Sequence, residues 1–188
     1  MLKAFDPAVF ARDVVRPHLA FLLDAPRRQL FKAAALALFI GACGVALKSE
    51  YGLFYDPQET RCMPEKLFVG FPRHEVLVRG DIVSYRANSR MMLDLMTGRR
   101  LGKIVAAVPG DRVVSNASGA YVNGVLVGHR NATTLKNIAA KGKSPVDINK
   151  VLQPGELFVI GTLPRSFDSR YWGVLRDESV DRQLKAIL

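Results

Sequence analysis

AYVNGVLVG, residues 120 to 128, places two β-branched runs on either side of Asn123-Gly124. Asn-Gly suits the two central positions of a tight hairpin turn, because both must take positive φ and most side chains resist it. The same strand-like texture continues outward in KLFVGF (66–71), EVLVRGDIVSYR (75–86), GKIVAAVPGDRVV (102–114) and ELFVIG (156–161). Each run is bounded by Gly, Pro, Asp or Asn, as short strands are. Residues 131–150, NATTLKNIAAKGKSPVDINK, break the pattern and read as an inserted loop with one helical turn. The expectation is a mainly β, antiparallel-sheet domain over residues 48–188.

Toward the N-terminus the texture changes to that of a membrane helix. From Leu30 to Leu47 every residue but Lys32 is apolar or Gly, about 27 Å if helical. That is enough for a short span, with Lys32 snorkelling to the head groups. Arg27, Arg28 and Lys32 precede the run, so the positive-inside rule leaves residues 1–29 cytoplasmic and residues 48–188 outside, in a bacterium the periplasm. Within the lead, Asp6-Pro7 suits a helix start, and Val9, Phe10, Val14 and Val15 share a face, as in an amphipathic helix on lipid. Two rival readings exist. RRQLFK resembles a twin-arginine export signal and IGAC, ending at Cys43, a lipoprotein cleavage box. The lead before the arginines is long for either, so 30–47 is expected to be an uncleaved anchor.

The net charge of +10 raises the question of nucleic acid. The basic residues are scattered without a helical stripe or interleaved aromatics, so no nucleic-acid partner is expected, and membrane lipid accounts for part of the charge. Three histidines, His18, His74 and His129, and two cysteines offer no metal spacing; HEVLV lacks the second His of a zinc-protease helix.

What remains is a candidate constellation. Cys62, in ETRCMPEKLF (59–68), is either a small buried hydrophobe or a nucleophile in need of a base. Lys103 stands among apolar neighbours in LGKIVAAVPGDRV, where loss of water would disfavour an ammonium against the neutral amine; otherwise it is a surface charge on a strand. In SFDSRYWG (166–173), an extended chain would put Ser166, Asp168 and Arg170 on one face, with a hydroxyl for the lysine and an ion pair beside it. Otherwise it is a polar turn.

Order and spacing choose among these alternatives. Thr60-x-Cys62-x-Pro64, then RGDIV (79–83), then Lys103 before Pro109-Gly110-Asp111, then SFDSRYWG, resemble the type I signal peptidases over about residues 58–175. The resemblance implies an antiparallel β-sheet domain on a membrane anchor, and an endopeptidase that removes leader peptides without a cofactor. It implies Cys62 as nucleophile, Lys103 as general base, and Ser166 as the group orienting the lysine. Thr60 and the Cys62 N–H would form the oxyanion hole, and Asp168 and Arg170 a structural ion pair.

Two features are particular to this chain. Housekeeping enzymes of the family carry Ser-Met-x-Pro, whereas proline here follows Cys62 by two and Thr60 precedes it by two. That resembles the T-x-S-x-P box of the TraF-type conjugative transfer peptidases, although Lys66 replaces the glycine preferred there. The subfamily implies a pilin precursor as substrate. The second feature is cysteine where the family has serine, which displaces the attacking atom because sulfur is larger and the C–S bond longer. The expectation is a Cys62/Lys103 dyad cutting pilin precursor. A general signal peptidase, or a weakened homologue that holds pilin or transfer-apparatus proteins, is the alternative. A cytoplasmic self-cleaving repressor of the related Ser-Lys fold is set aside by the apolar span.

Overall fold

The computed structural model describes residues 26–57, 62–73, 76–88 and 98–187. It divides into two units, residues 1–49 and 50–188. The described part of the first is helical: α1, Arg27–Glu50, whose stretch Arg27–Ala46 is long and apolar enough to cross a membrane. Phe31, Leu38 and Val45 project from it exposed. A helix apolar all round and uncovered by protein is suited to lipid.

The second unit is antiparallel β throughout. Its strands are β1 (Gly52–Tyr55), β2 (Leu67–Phe71), β3 (Ile82–Arg86), β4 (Arg100–Ala107), β5 (Arg112–Asn116) and β6 (Gly119–Val122). They continue with β7 (Val125–Gly128), β8 (Ile148–Val151), β9 (Glu156–Ile160), β10 (Leu175–Arg176) and β11 (Val180–Ala186). Among the described residues one sheet runs β1-β2-β11-β3-β4-β9-β10 and the other β7-β6-β5-β8. The β6–β7 hairpin turns at Asn123 (φ 50°) and Gly124 (φ 83°), so both central residues take the left-handed conformation that Asn-Gly accommodates. The inserted segment is more ordered than a loop. It opens with α2, Ala132–Ala139, capped by the Asn131 side chain, and ends in β8 paired with β5. Alternation in DINKV is short enough to hide in a polar stretch.

Two buried clusters carry the domain. Val83, Tyr85, Val105, Val159 and Trp172 pack on the larger sheet, and Ala107, Val113, Val122 and Phe158 lie where β4 and β9 meet the smaller one. The chain crosses between sheets at Val108-Pro109-Gly110-Asp111, where Gly110 has φ 92°. Asp111 locks this corner. Its carboxylate accepts the Val108 N–H (2.9 Å), Asn123 Nδ2 (2.9 Å) and the Arg79 guanidinium (Nε at 2.8 Å). One acid thus joins the turn before β3, the β4–β5 corner and the hairpin. The hydrogen bond from Arg79 holds its pKa down to about 2, against the opposing effect of burial.

A carboxylate whose folded pKa is depressed stabilises the fold above its unfolded value, near 4, and loses that contribution as pH falls toward 2. Asp111→Asn should lower Tm at neutral pH by about 5 °C and flatten the acid limb of stability between pH 4 and 2. Thermal melts across that range check it; an unchanged acid limb would exclude this role for Asp111.

Candidate active site

Lys103 sits on β4 opposite Val83 of β3 and is 1% exposed. The folded sheet buries it, and among the described residues no carboxylate is recorded as its partner. Cys62 lies half-buried in the bend before β2, its carbonyl accepting the Leu163 N–H at 3.2 Å. Cys62 and Lys103, 41 positions apart in the chain, line one cavity of about 500 Å³. Thr60 lies outside the described residues.

The segment 166–173 departs from the extended chain expected for it. Asp168 caps a single helical turn, α3 (Ser169–Trp172), by accepting the Arg170 N–H. Fully buried, Asp168 also accepts Nε (2.8 Å) and Nη2 (2.7 Å) of Arg170 and the Gly161 N–H (2.9 Å). The Arg170 guanidinium reaches on to the His129 and Ser166 carbonyls. Burial, the largest single effect, works against the Arg170 charge, but hydrogen bonds to Asp168 and the charge of that carboxylate together outweigh it and raise its pKa. The ion pair thus comes from a cap and a turn, where donors converge on one carboxylate, and alternation along a strand plays no part. Ser166 is buried, with no partner for its hydroxyl among the described residues.

Two further features matter that pattern reading missed. First, β9 pairs with β4 only from Ile104 onward, so Leu101 to Lys103 are laddered on one side alone, to β3, among the described residues. That is an open strand edge beside the cavity, of the kind extended peptides join by backbone hydrogen bonds. Gly102 lies on it; a Cβ there would stand 3.2 Å from Met63 Cε and 3.4 Å from Leu184 Cδ1, on the apolar wall. Second, Gly161 is a steric necessity. A Cβ would collide with the Ser166 hydroxyl and approach the Cys62 carbonyl to 2.5 Å. Pairing register and close approach are tertiary facts; nothing in VIGTL announces them.

The sequence profile of the family described as signal peptidase, peptidase S26 matches residues 31–188. The chain belongs to this family. A crystal structure of a signal peptidase I from Enterococcus faecalis is similar at 25% identity, over 60% of this chain and all of that one, with a TM-score of 0.38. No curated protein matches at a significant level. Membership makes the protein a peptide hydrolase of the signal peptidase class, acting on precursors that bear leader peptides, and its apolar N-terminal helix suits membrane anchoring. Among the described residues of this signal peptidase no group of three or more His, Cys, Asp or Glu is placed to hold a metal ion.

Gly161→Ala should cut cleavage of a leader-peptide substrate at least about tenfold, because the added methyl must displace either the Cys62 backbone or Ser166. Steady-state kinetics with the purified variant test this, and a full rate with an unchanged melting curve would rule the steric role out.

Proposed function

We propose that the protein is a membrane-anchored leader peptidase in which Cys62 attacks and Lys103 is the base. One observation chiefly supports this reading: a buried lysine and a half-buried thiol share a cavity next to a strand edge that is unpaired among the described residues. An extended precursor segment adds to the Leu101–Lys103 edge, which holds the scissile carbonyl beside the thiol. The neutral amine of Lys103 takes the thiol proton as sulfur attacks the carbonyl carbon. The oxyanion is held by the Cys62 N–H and the Thr60 hydroxyl. As the tetrahedral adduct collapses, the C–N bond breaks and the lysine ammonium gives its proton to the leaving amine. Water, deprotonated by the same amine, then cleaves the thioester and frees the leader. Ser166 accepts a hydrogen bond from the lysine and keeps it in line.

The substrate we infer is a pilin precursor of a conjugative transfer system. The Thr60-x-Cys62-x-Pro64 spacing supports it. Helix α1 is the anchor in this reading. With Arg27 and Arg28 at its start, residues 1–29 lie in the cytoplasm, and the β domain works at the periplasmic face of the bacterial inner membrane.

Lys103→Ala and Cys62→Ala should each reduce cleavage of the candidate pilin precursor by at least about 1,000-fold while the fold persists, since one removes the base and the other the attacking atom. Cys62→Ser should cleave at a rate equal to or above the unmodified protein, because oxygen is the atom for which the family site is shaped. Mass spectrometry of the new termini reads all three. Undiminished processing by well-folded Cys62→Ala would leave the thiol without a role, and a precursor bound but uncut by the unmodified protein would favour the weakened homologue.

Protease added to spheroplasts should degrade residues 50–188 and spare the N-terminal lead. Protection of the β domain while the membrane stays sealed would invert the orientation.

A further inference from the structure

Tyr85 is wholly buried, and its hydroxyl has no hydrogen-bond partner among the described residues. Buried polar atoms without partners are rare and call for a reason. Tyr85 lies on β3 two residues beyond Val83, the cross-strand partner of Lys103, so Tyr85 and Lys103 share a sheet face as a diagonal pair. Diagonal neighbours on a sheet are within reach when the side chains are long or aromatic, as both are here. The edge of the Tyr85 ring packs against Trp172 at 6.1 Å between centroids, which limits where the hydroxyl can go. Among the described residues, the other buried hydroxyl without a partner is that of Ser166.

A lysine ammonium has three N–H donors and no acceptor. Once Lys103 has taken the thiol proton, Cys62 and Ser166 satisfy two of the three. We propose that the Tyr85 hydroxyl is the third acceptor, a positioning group that holds the protonated Lys103 in the reacting geometry. This rests on the Cys62/Lys103 reading above. Among the described residues, the charges that act on Tyr85 are those of Asp168, which Arg170 partners, and Cys62; Lys103 on β4 shares its sheet face. Burial first, then the charges of Asp168 and Cys62, push the phenol pKa well above its ordinary value. The hydroxyl therefore stays protonated and serves as a neutral acceptor throughout the working pH range.

The test is Tyr85→Phe in the full chain in detergent micelles, which removes one oxygen and leaves the ring. The probe is a synthetic peptide spanning a leader–mature junction with alanine at −3 and −1. Loss of an acceptor for the ammonium should lower kcat about tenfold with KM within about twofold. It should also move the acidic limb of the rate profile to lower pH, because the protonated lysine is disfavoured. Iodoacetamide alkylation of Cys62 in a Cys43→Ser background at pH 7 reads the same coupling without substrate. It should slow by a similar factor, since the thiolate–ammonium form becomes scarcer. Unchanged kcat, pH profile and alkylation rate overturn the proposal. So does a fall in kcat that tracks a lower Tm while the pH profile stays in place. Full cleavage by Cys62→Ala or Lys103→Ala would instead overturn the dyad itself. Loss of activity in those two beside unaltered Tyr85→Phe overturns only the role of the hydroxyl.

Discussion

The buried pair of Asp168 and Arg170 is the constraint around which the site end of the domain is organised. Two opposite charges out of water are tolerable only if nearly every lone pair and N–H finds a partner. Four donors therefore meet the Asp168 carboxylate, and the guanidinium spans from that carboxylate to the carbonyls of His129 and Ser166. Meeting that demand draws together the end of β9, the turn at 161–168, helix α3 and the end of the β6–β7 hairpin. Leu163, on the same turn, holds the Cys62 carbonyl, so the thiol inherits its position from an ion pair it does not touch.

The two sheets meet at a second, partly exposed ion pair with a different job. Arg79 and Asp111 tie the turn before β3 to the corner between β4 and β5, fixing β4 at its C-terminal end. The register of β4 decides which of its residues keep a free edge. Because β9 stops pairing at Ile104 and the chain then turns toward Cys62, Lys103 lies, among the described residues, where β4 is laddered on one side only. The same sheet thus buries the lysine, leaves the edge to which the proposed substrate adds, and carries the tyrosine on the lysine's face at the diagonal position. In the proposed dyad, sulfur in place of oxygen changes the reach of the attacking atom, but the frame is set by backbone pairing.

Much of this architecture was legible along the chain. Asn123-Gly124 announced its hairpin because only residues at ease with positive φ satisfy that turn, and the β-branched runs announced their strands because local patterning and sheet pairing agree. The apolar run before residue 48 did the same for helix α1. The order Cys62, RGDIV, Lys103, PGD and SFDSRYWG was sufficient for the family. Helix α2 was legible only as one helical turn, and strands β1, β8, β10 and β11 were not legible, since short or polar segments obey pairing partners more than their own composition. Nor was the turn at Ser169–Trp172, where a cap and a buried ion pair outweigh the alternation that an extended reading assumes.

By itself the sequence determined the local facts: most of the strands, where the chain turns sharply, which helix is fit for lipid, and which family's motif order the chain carries. Tertiary structure alone decided that Lys103 is buried with no carboxylate partner among the described residues, that Cys62 shares its cavity, that Gly161 admits no side chain, and that the Tyr85 hydroxyl faces the interior. The division has a physical cause. Backbone conformation and amphipathicity are set by residues a few positions apart, whereas burial, register and close approach depend on segments separated by tens of residues. They exist only once the sheets have closed around them.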